Sequence, residues 1–239
     1  TFYNFDVEYY LKFVNPNAVV FQRINECDER KNTKGINKKI VRFNKTVDVN
    51  LFVSKWIKNL YQKYDSMIKP THVIMGGPSK EIFNKKNKDY WDKENKLRIV
   101  THHWSKNYMK GFDYYLALDN LLYESELKNK FEFSYIGNVP ENINFKMAKI
   151  INPISGVELG NVLRTFDVYI TASRNEPSGN HHMEAAQSGL PILYIDSGAL
   201  KEYCNDFGVE INGIDQIEQA LYKIVDEFDY LVSELDKYP

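Results

Sequence analysis

Asp167-Val-Tyr-Ile-Thr-Ala-Ser173 runs directly into Arg174-Asn-Glu-Pro-Ser-Gly179, then Asn180-His-His-Met-Glu-Ala-Ala-Gln-Ser188 and Gly189-Leu-Pro191. The apolar run of the first segment predicts a buried strand, the second a glycine-containing loop, and the third a helix. Gly189, where a left-handed residue is wanted, and Pro191 just beyond it mark the helix end. Glu176 falls in the loop, and Glu184 falls on the second helical turn. In an open parallel sheet, ligands bind where loops leave the carboxyl ends of the strands. A helix amino end there offers unpaired N–H groups and a positive dipole end to an anion. Two carboxylates beside such a site can each hold a pair of sugar hydroxyls, a combination that suits a sugar nucleotide.

Outward from this stretch the apolar period switches repeatedly between strand and helix. Strands are predicted at 18–22, 49–53, 71–75, 97–101, 131–136, 168–172 and 191–195. Helices are predicted at 36–47, 56–64, 112–122 and 157–166, and one or two amphipathic helices at 214–235. Strands alternating with helices imply a parallel sheet with right-handed crossovers. Residues 84–96 are strongly polar with mixed charge and two aromatics, the best linker in the chain. The expected domains are therefore 1–96 and 97–239.

The motifs resemble the signature of retaining glycosyltransferases of the GT-B fold, the family 4 (group 1) type. The resemblance rests on Glu176-x7-Glu184 with a glycine in the loop, then Gly-Leu-Pro, then Ser197-Gly198-Ala199-Leu200-Lys201-Glu202. Val73-Ile-Met-Gly-Gly-Pro-Ser-Lys-Glu-Ile-Phe83 is similar to the segment that ends the family's N-terminal domain, departing at Gly76, Pro78 and Ser79. The fold implied is α/β with two Rossmann-like domains facing across a cleft. Upstream of Ala18 there is too little sequence for the first strands of that N-terminal domain, so an incomplete one, hence a fragment of a longer protein, is expected. The activity implied is transfer of a sugar from a nucleotide-diphosphate-sugar donor, with retention, to a glycan, lipid or protein acceptor. A sugar-nucleotide epimerase on the same fold and a catalytically silent nucleotide-sugar-binding or assembly subunit are the alternatives.

Thr101-His-His-Trp-Ser-Lys-Asn-Tyr-Met-Lys110-Gly111 leaves a predicted strand and opens a helix. Its Lys110-Gly111 is similar to the family's Lys-Gly, whose lysine binds the leaving diphosphate. Breaking a bond to a nucleotide builds negative charge there, and prearranged cations stabilise it. Many relatives place an arginine five or six residues earlier, where Trp104 and Ser105 stand here, so either Lys106 substitutes or the charge is supplied otherwise. The resemblance thus makes Lys110 and Glu176 catalytic, Glu176 facing the donor sugar and Glu184 the ribose. Ser105, Lys106, Gly111, Ser178, Gly179, Asn180 and His181 complete the donor side, with Asn180 also suited to cap its helix. Arg23, Asn25 and Asp28, in the charged segment after the first strand, are the acceptor-side candidates.

Composition excludes other classes. Thirty-one basic residues against 32 acidic ones, a net charge of −1, argue against a nucleic-acid or membrane-surface binder. No run approaches the ~20 apolar residues of a spanning helix, which leaves only peripheral membrane association open. Cys27 and Cys204 suggest reduced thiols in a cytoplasmic protein, with one disulfide between them left open. His102-His103 and His181-His182 invite a metal, but neighbours on a strand point to opposite faces and no Cys or Asp cluster accompanies them. No metal and no cofactor are expected.

Overall fold

The computed structural model describes residues 4–64 and 69–238. Contacts divide the chain into two compact units: Thr1–Gly76 with Asn175–Ser178, and Gly77–Arg174 with Gly179–Pro239.

The first unit runs α1 (Asn4–Phe13), β1 (Phe21–Ile24), α2 (Asp28–Lys31), α3 (Ile36–Phe43), β2 (Val49–Phe52), α4 (Lys55–Tyr61) and β3 (Thr71–Val73). Its three strands pair in parallel in the order β1-β2-β3, Ile24 opposite Phe52 and Phe52 opposite Val73. Ile24, Cys27, Phe52, Val53, Ile57 and Tyr61 form its core. Burial pushes the Cys27 thiol up to about 12, with Glu29 and Glu26 adding to the shift.

Asp28 has a structural role here that the sequence reading did not foresee. Its Oδ1 accepts from Ile36 N at 2.9 Å and Thr33 Oγ1 at 3.0 Å, and its Oδ2 from Gly35 N and Asn37 N at 3.0 Å. The carboxylate thus satisfies the orphan donors that open α3. With its oxygens engaged by four donors, Asp28 holds a helix in place.

The second unit runs β4 (Leu97–His103), α5 (Phe112–Glu124), β5 (Phe131–Gly137), β6 (Lys149–Ile151), α6 (Gly156–Leu163), β7 (Val168–Thr171), α7 (Asn180–Gln187), β8 (Ile192–Tyr194), α8 (Leu200–Cys204), β9 (Gly208–Glu210), α9 (Ile217–Asp226) and α10 (Phe228–Glu234). All six strands are parallel, in the order β6-β5-β4-β7-β8-β9. Renumbered from β4, this is the 3-2-1-4-5-6 order of doubly wound dinucleotide-binding sheets, whose switch point lies between the first and fourth strands. Every residue of β7 and β8 is buried, as covering on both faces demands.

The stretch read as the linker, 84–96, carries no helix or strand and packs within the second unit. The Lys88 ammonium donates to the Phe166 carbonyl at 2.5 Å, and the Trp91 ring meets Phe228 edge-on at 5.4 Å. Its polarity is that of a strap anchored by buried Lys88 and half-buried Trp91, and the contact boundary falls at Gly76/Gly77. At the amino ends of β4 and β7, Arg98 Nε and Nη2 grip the fully buried Asp167 carboxylate at 2.9 and 2.7 Å, and Arg98 N adds a bond at 2.8 Å.

Replacing Asp28 by alanine should cost the first unit about 1–2 kcal/mol, as loss of a helix-capping side chain does. Desolvation opposes ionisation of Asp28, but the bonds from Asn37, Ile36, Thr33 and Gly35 outweigh it, so its pKa lies below the ordinary 3.8. Its contribution is present above the unfolded carboxylate's range and is lost as pH falls through the lower folded value. Urea unfolding of wild type and Asp28→Ala should therefore differ at neutral pH and converge below the ordinary value of 3.8. A constant difference across that range would remove the charge from the argument.

Candidate functional site

β4 and β7 are neighbours in register only at Ile99↔Val168 and Val100↔Tyr169, although β4 continues to His103 beside β5. Past Val100 the backbone groups on the β7 side have lost their ladder partners, and two tyrosine hydroxyls replace them. The Tyr169 hydroxyl accepts from His102 N at 3.1 Å and donates to His102 O at 3.3 Å. The Tyr115 hydroxyl, on α5, accepts from Ala172 N at 3.1 Å and lies 2.7 Å from His103 Nε2. This parting of adjacent strands at their carboxyl ends is the geometry that makes a switch point a ligand site.

Three imidazoles, His102, His103 and His181, line it, and a fourth, His182, turns away. His102 Nε2 pairs with Glu184 Oε2 at 2.9 Å. The His103 and His181 rings meet at 4.7 Å, and His181 Nε2 lies 2.9 Å from the Thr171 hydroxyl. His182 Nε2 accepts from Gly179 N at 3.3 Å, and its other side faces the buried Cys204 and Tyr203. Desolvation holds the His103 pKa well below the ordinary value, with Lys110 and His102 adding to the shift. Desolvation acts likewise on His181, followed by His103, Lys110, His182 and His102. Both rings are therefore held in the neutral form. Among the described residues, no group of three or more His, Cys, Asp and Glu side chains has metal-binding geometry.

Lys110 ends a 3-10 turn, Tyr108–Lys110, and is half-buried. Its charge adds to the depression of both His103 and His181. Gly111 caps α5 at φ +89°, and a Cβ there would collide with the Ala172 carbonyl, so this position requires glycine. The close approach sets the loop after β4 against the end of β7. Arg174 fastens the same junction: its guanidinium takes both oxygens of Asp113, lies over the Tyr108 ring at 5.5 Å, and its N–H donates to Met109 O at 2.7 Å.

Of the donor-side residues proposed from sequence, Glu184, Lys110, Gly111, Gly179, Asn180 and His181 gather in the second unit at this edge. The cap of α7 is Gly179, not Asn180, which is the first helical residue and exposed. Ser105 and Lys106 are exposed in the preceding loop, where Ser105 Oγ accepts from Asn107 N at 3.2 Å. Glu176 and Ser178 group by contact with the first unit, Glu176 being 1% exposed with Arg30 Nε at 3.0 Å from its Oε1. That approach is off the N–H axis, an ion pair without a hydrogen bond. Arg23 and Asn25 are exposed at the carboxyl end of β1. Sequence reasoning missed the partners: His102 for Glu184, Tyr115 for His103, and Asp113 for Arg174. Only Asp113 left a signal, as an acid in the first turn of a helix opened by Lys-Gly.

The sequence matches no protein-family model and no curated protein. Solved structures do match in fold, and they are GT-B glycosyltransferases. Sucrose-phosphate synthase from Thermosynechococcus elongatus superposes with a TM-score of 0.70 at 11% identity, over 91% of this chain and 63% of that one. TarM from S. aureus, bound to UDP, gives 0.71 at 15% identity, over 98% and 51%. HepE from Anabaena, bound to UDP and glucose, gives 0.70 at 12%, over 94% and 66%. The chain has the GT-B-type α/β fold and spans about half to two thirds of the length of these structures. At such identities the likeness is one of fold alone.

The neutral imidazoles make the fold acid-sensitive in a predictable way. Below the ordinary 6.5 the unfolded chain takes up protons that buried His103 and His181 refuse. Stability contributed above that pH is lost as pH falls, by up to about 1.4 kcal/mol per pH unit for each histidine. Urea midpoints at pH 7.5 and 5.5 should therefore fall further for wild type than for His181→Gln. Equal falls would mean that His181 titrates alike in both states.

Proposed function

We propose that the second unit binds the nucleoside diphosphate of a nucleotide-sugar donor at the carboxyl ends of β4 and β7, and that the protein is a retaining glycosyltransferase. One observation carries the reading: the loop after β4, with Lys110-Gly111 packed against Ala172 at the end of β7, opens at the switch point of a doubly wound parallel sheet, where Glu184 of α7 reaches His102 of β4. A helix amino end and a lysine together attract a diphosphate, and a carboxylate one turn along can hold a ribose diol.

In this reading the donor's glycosidic bond breaks toward the nucleotide, and charge builds on the departing diphosphate. Lys110 and the backbone amides of 178–181 counter that charge, so no metal ion is invoked. Glu184 grips the ribose, Glu176 orients the donor sugar, and the acceptor hydroxyl attacks the face from which the nucleotide leaves. Ser105 and Lys106 flank the phosphates, His181 and Asn180 border the donor sugar, and Arg23 and Asn25 serve a glycan, lipid or protein acceptor. Cytoplasmic residence suits both the donor and the two free, buried thiols. Among the described residues no helix is long and apolar enough to cross a membrane.

Calorimetry of UDP, GDP and ADP against wild type and two variants tests the assignment. Lys110→Ala should leave the melting temperature nearly unchanged, weaken the diphosphate but not the free nucleoside, and cut transfer by on the order of 10²-fold. Glu184→Ala should weaken diphosphate and donor alike by about 1.5–3 kcal/mol, the worth of a hydrogen bond to a charged group. Normal diphosphate affinity and turnover in Lys110→Ala would return that lysine to the surface. Donor binding without hydrolysis or transfer would turn the reading to a nucleotide-sugar-binding subunit.

A further inference from the structure

Glu184 stands on the second turn of α7, and among the described residues its carboxylate has one polar side-chain partner, His102 Nε2 at 2.9 Å. A carboxylate only accepts, so the proton of this bond belongs to His102 Nε2. The ring is itself held from several directions. Its backbone N–H and carbonyl are both bonded to the Tyr169 hydroxyl. Its face meets the Tyr169 ring edge-on at 5.4 Å and the His181 ring at 6.3 Å. Its Nδ1 is buried and has no hydrogen-bond partner. A bare lone pair is the cheaper occupant of such a place, since an N–H there would be a buried donor left unpaired. The groups that face the ring are Glu184 and His181 from α7, Tyr169 from β7 and its strand neighbour His103, with Lys110 acting on both His103 and His181.

We propose that His102 is a positioning residue for the donor site: fixed as the Nε2–H tautomer, it holds one oxygen of Glu184 and aims the other at the ribose. This rests on the reading that Glu184 contacts the ribose. A free glutamate side chain loses considerable rotamer freedom when it binds, and a carboxylate already held loses less, so pre-organisation appears as affinity. A ribose contact persists from bound donor to transition state, so losing the aim raises KM and leaves kcat nearly unchanged.

The test is a double-mutant cycle read with UDP, GDP and ADP, continued with whichever binds wild type. His102→Ala should weaken that diphosphate by roughly tenfold or more, in line with a charged hydrogen bond. His102→Gln, whose amide can still donate, should restore affinity close to wild type. Adding His102→Ala to Glu184→Ala should cost nothing further, because the group being aimed is gone. Failure of wild type to bind any of the three, or undiminished binding by Glu184→Ala, would sink the ribose reading itself. Weakened binding in Glu184→Ala with normal binding in His102→Ala, or equal losses from His102→Ala in both backgrounds, would overturn the positioning role alone. Nitrogen-15 NMR of the wild-type ring decides the matter even if His102→Ala does not fold. A protonated Nε2 and bare Nδ1, perturbed by Glu184→Gln, support the proposal, and a protonated Nδ1 with bare Nε2 overturns it.

Discussion

β4 and β7 lie side by side, yet the chain leaves them in opposite directions across the sheet, and that constraint organises the second unit. Two such strands can be zipped only at one end. The zipper is Arg98 with the buried carboxylate of Asp167, three bonds that fix the amino ends in register. At the other end the ladder stops after Val100↔Tyr169, and the backbone must find other partners or be left unpaired at considerable cost. Tyr169 and Tyr115 supply them, each from a fully buried ring with its hydroxyl at the parting of the strands. The opening is therefore a built feature whose walls are tied down before any ligand arrives.

Polar walls at a buried edge bring their own demands. Charged imidazoles there would face both desolvation and Lys110, so His103 and His181 stay neutral. His182 turns away from the edge and spends its Nε2 on the Gly179 amide, which helps open α7. Each ring thus has a distinct partner, and neighbouring His-His pairs divide between faces as strand geometry requires for His102 and His103.

Much of this was legible in the sequence where periodicity is strong. The long strands at Leu97–His103 and Phe131–Gly137 and the helix at Phe112–Glu124 were all readable from apolar spacing. Lys149–Ile151 and Gly208–Glu210 are three-residue edge strands, too short for an alternation to show. Leu200–Cys204 was missed as a helix because five residues hold barely more than one turn. The 84–96 stretch read as a linker because Lys88 and Trp91 bury one end each while their neighbours stay polar. The site's glutamates and lysine stand out by local motif, whereas their partners do not. His102 and Glu184 are separated by 82 positions, and Arg174 and Asp113 by 61, so only the sheet order brings them together.

Sheet order is a property of the fold, and fold alone does not assign chemistry. The residues around Lys110 do narrow it. The family resemblance calls for a second cation ahead of that lysine, where Trp104 is 73% exposed and Ser105 caps a turn. Arg174 is near in space but spent: both its terminal nitrogens are bound to Asp113, and its plane is stacked on Tyr108. Releasing it would leave Asp113 uncompensated in the first turn of α5. Lys106 has no such commitment, being exposed in the loop 104–107. A lysine is a flexible point charge that suits a phosphate without requiring bidentate geometry. On the proposed reading, Lys106 is exposed in the loop beside the site, while Arg174 keeps that loop in place.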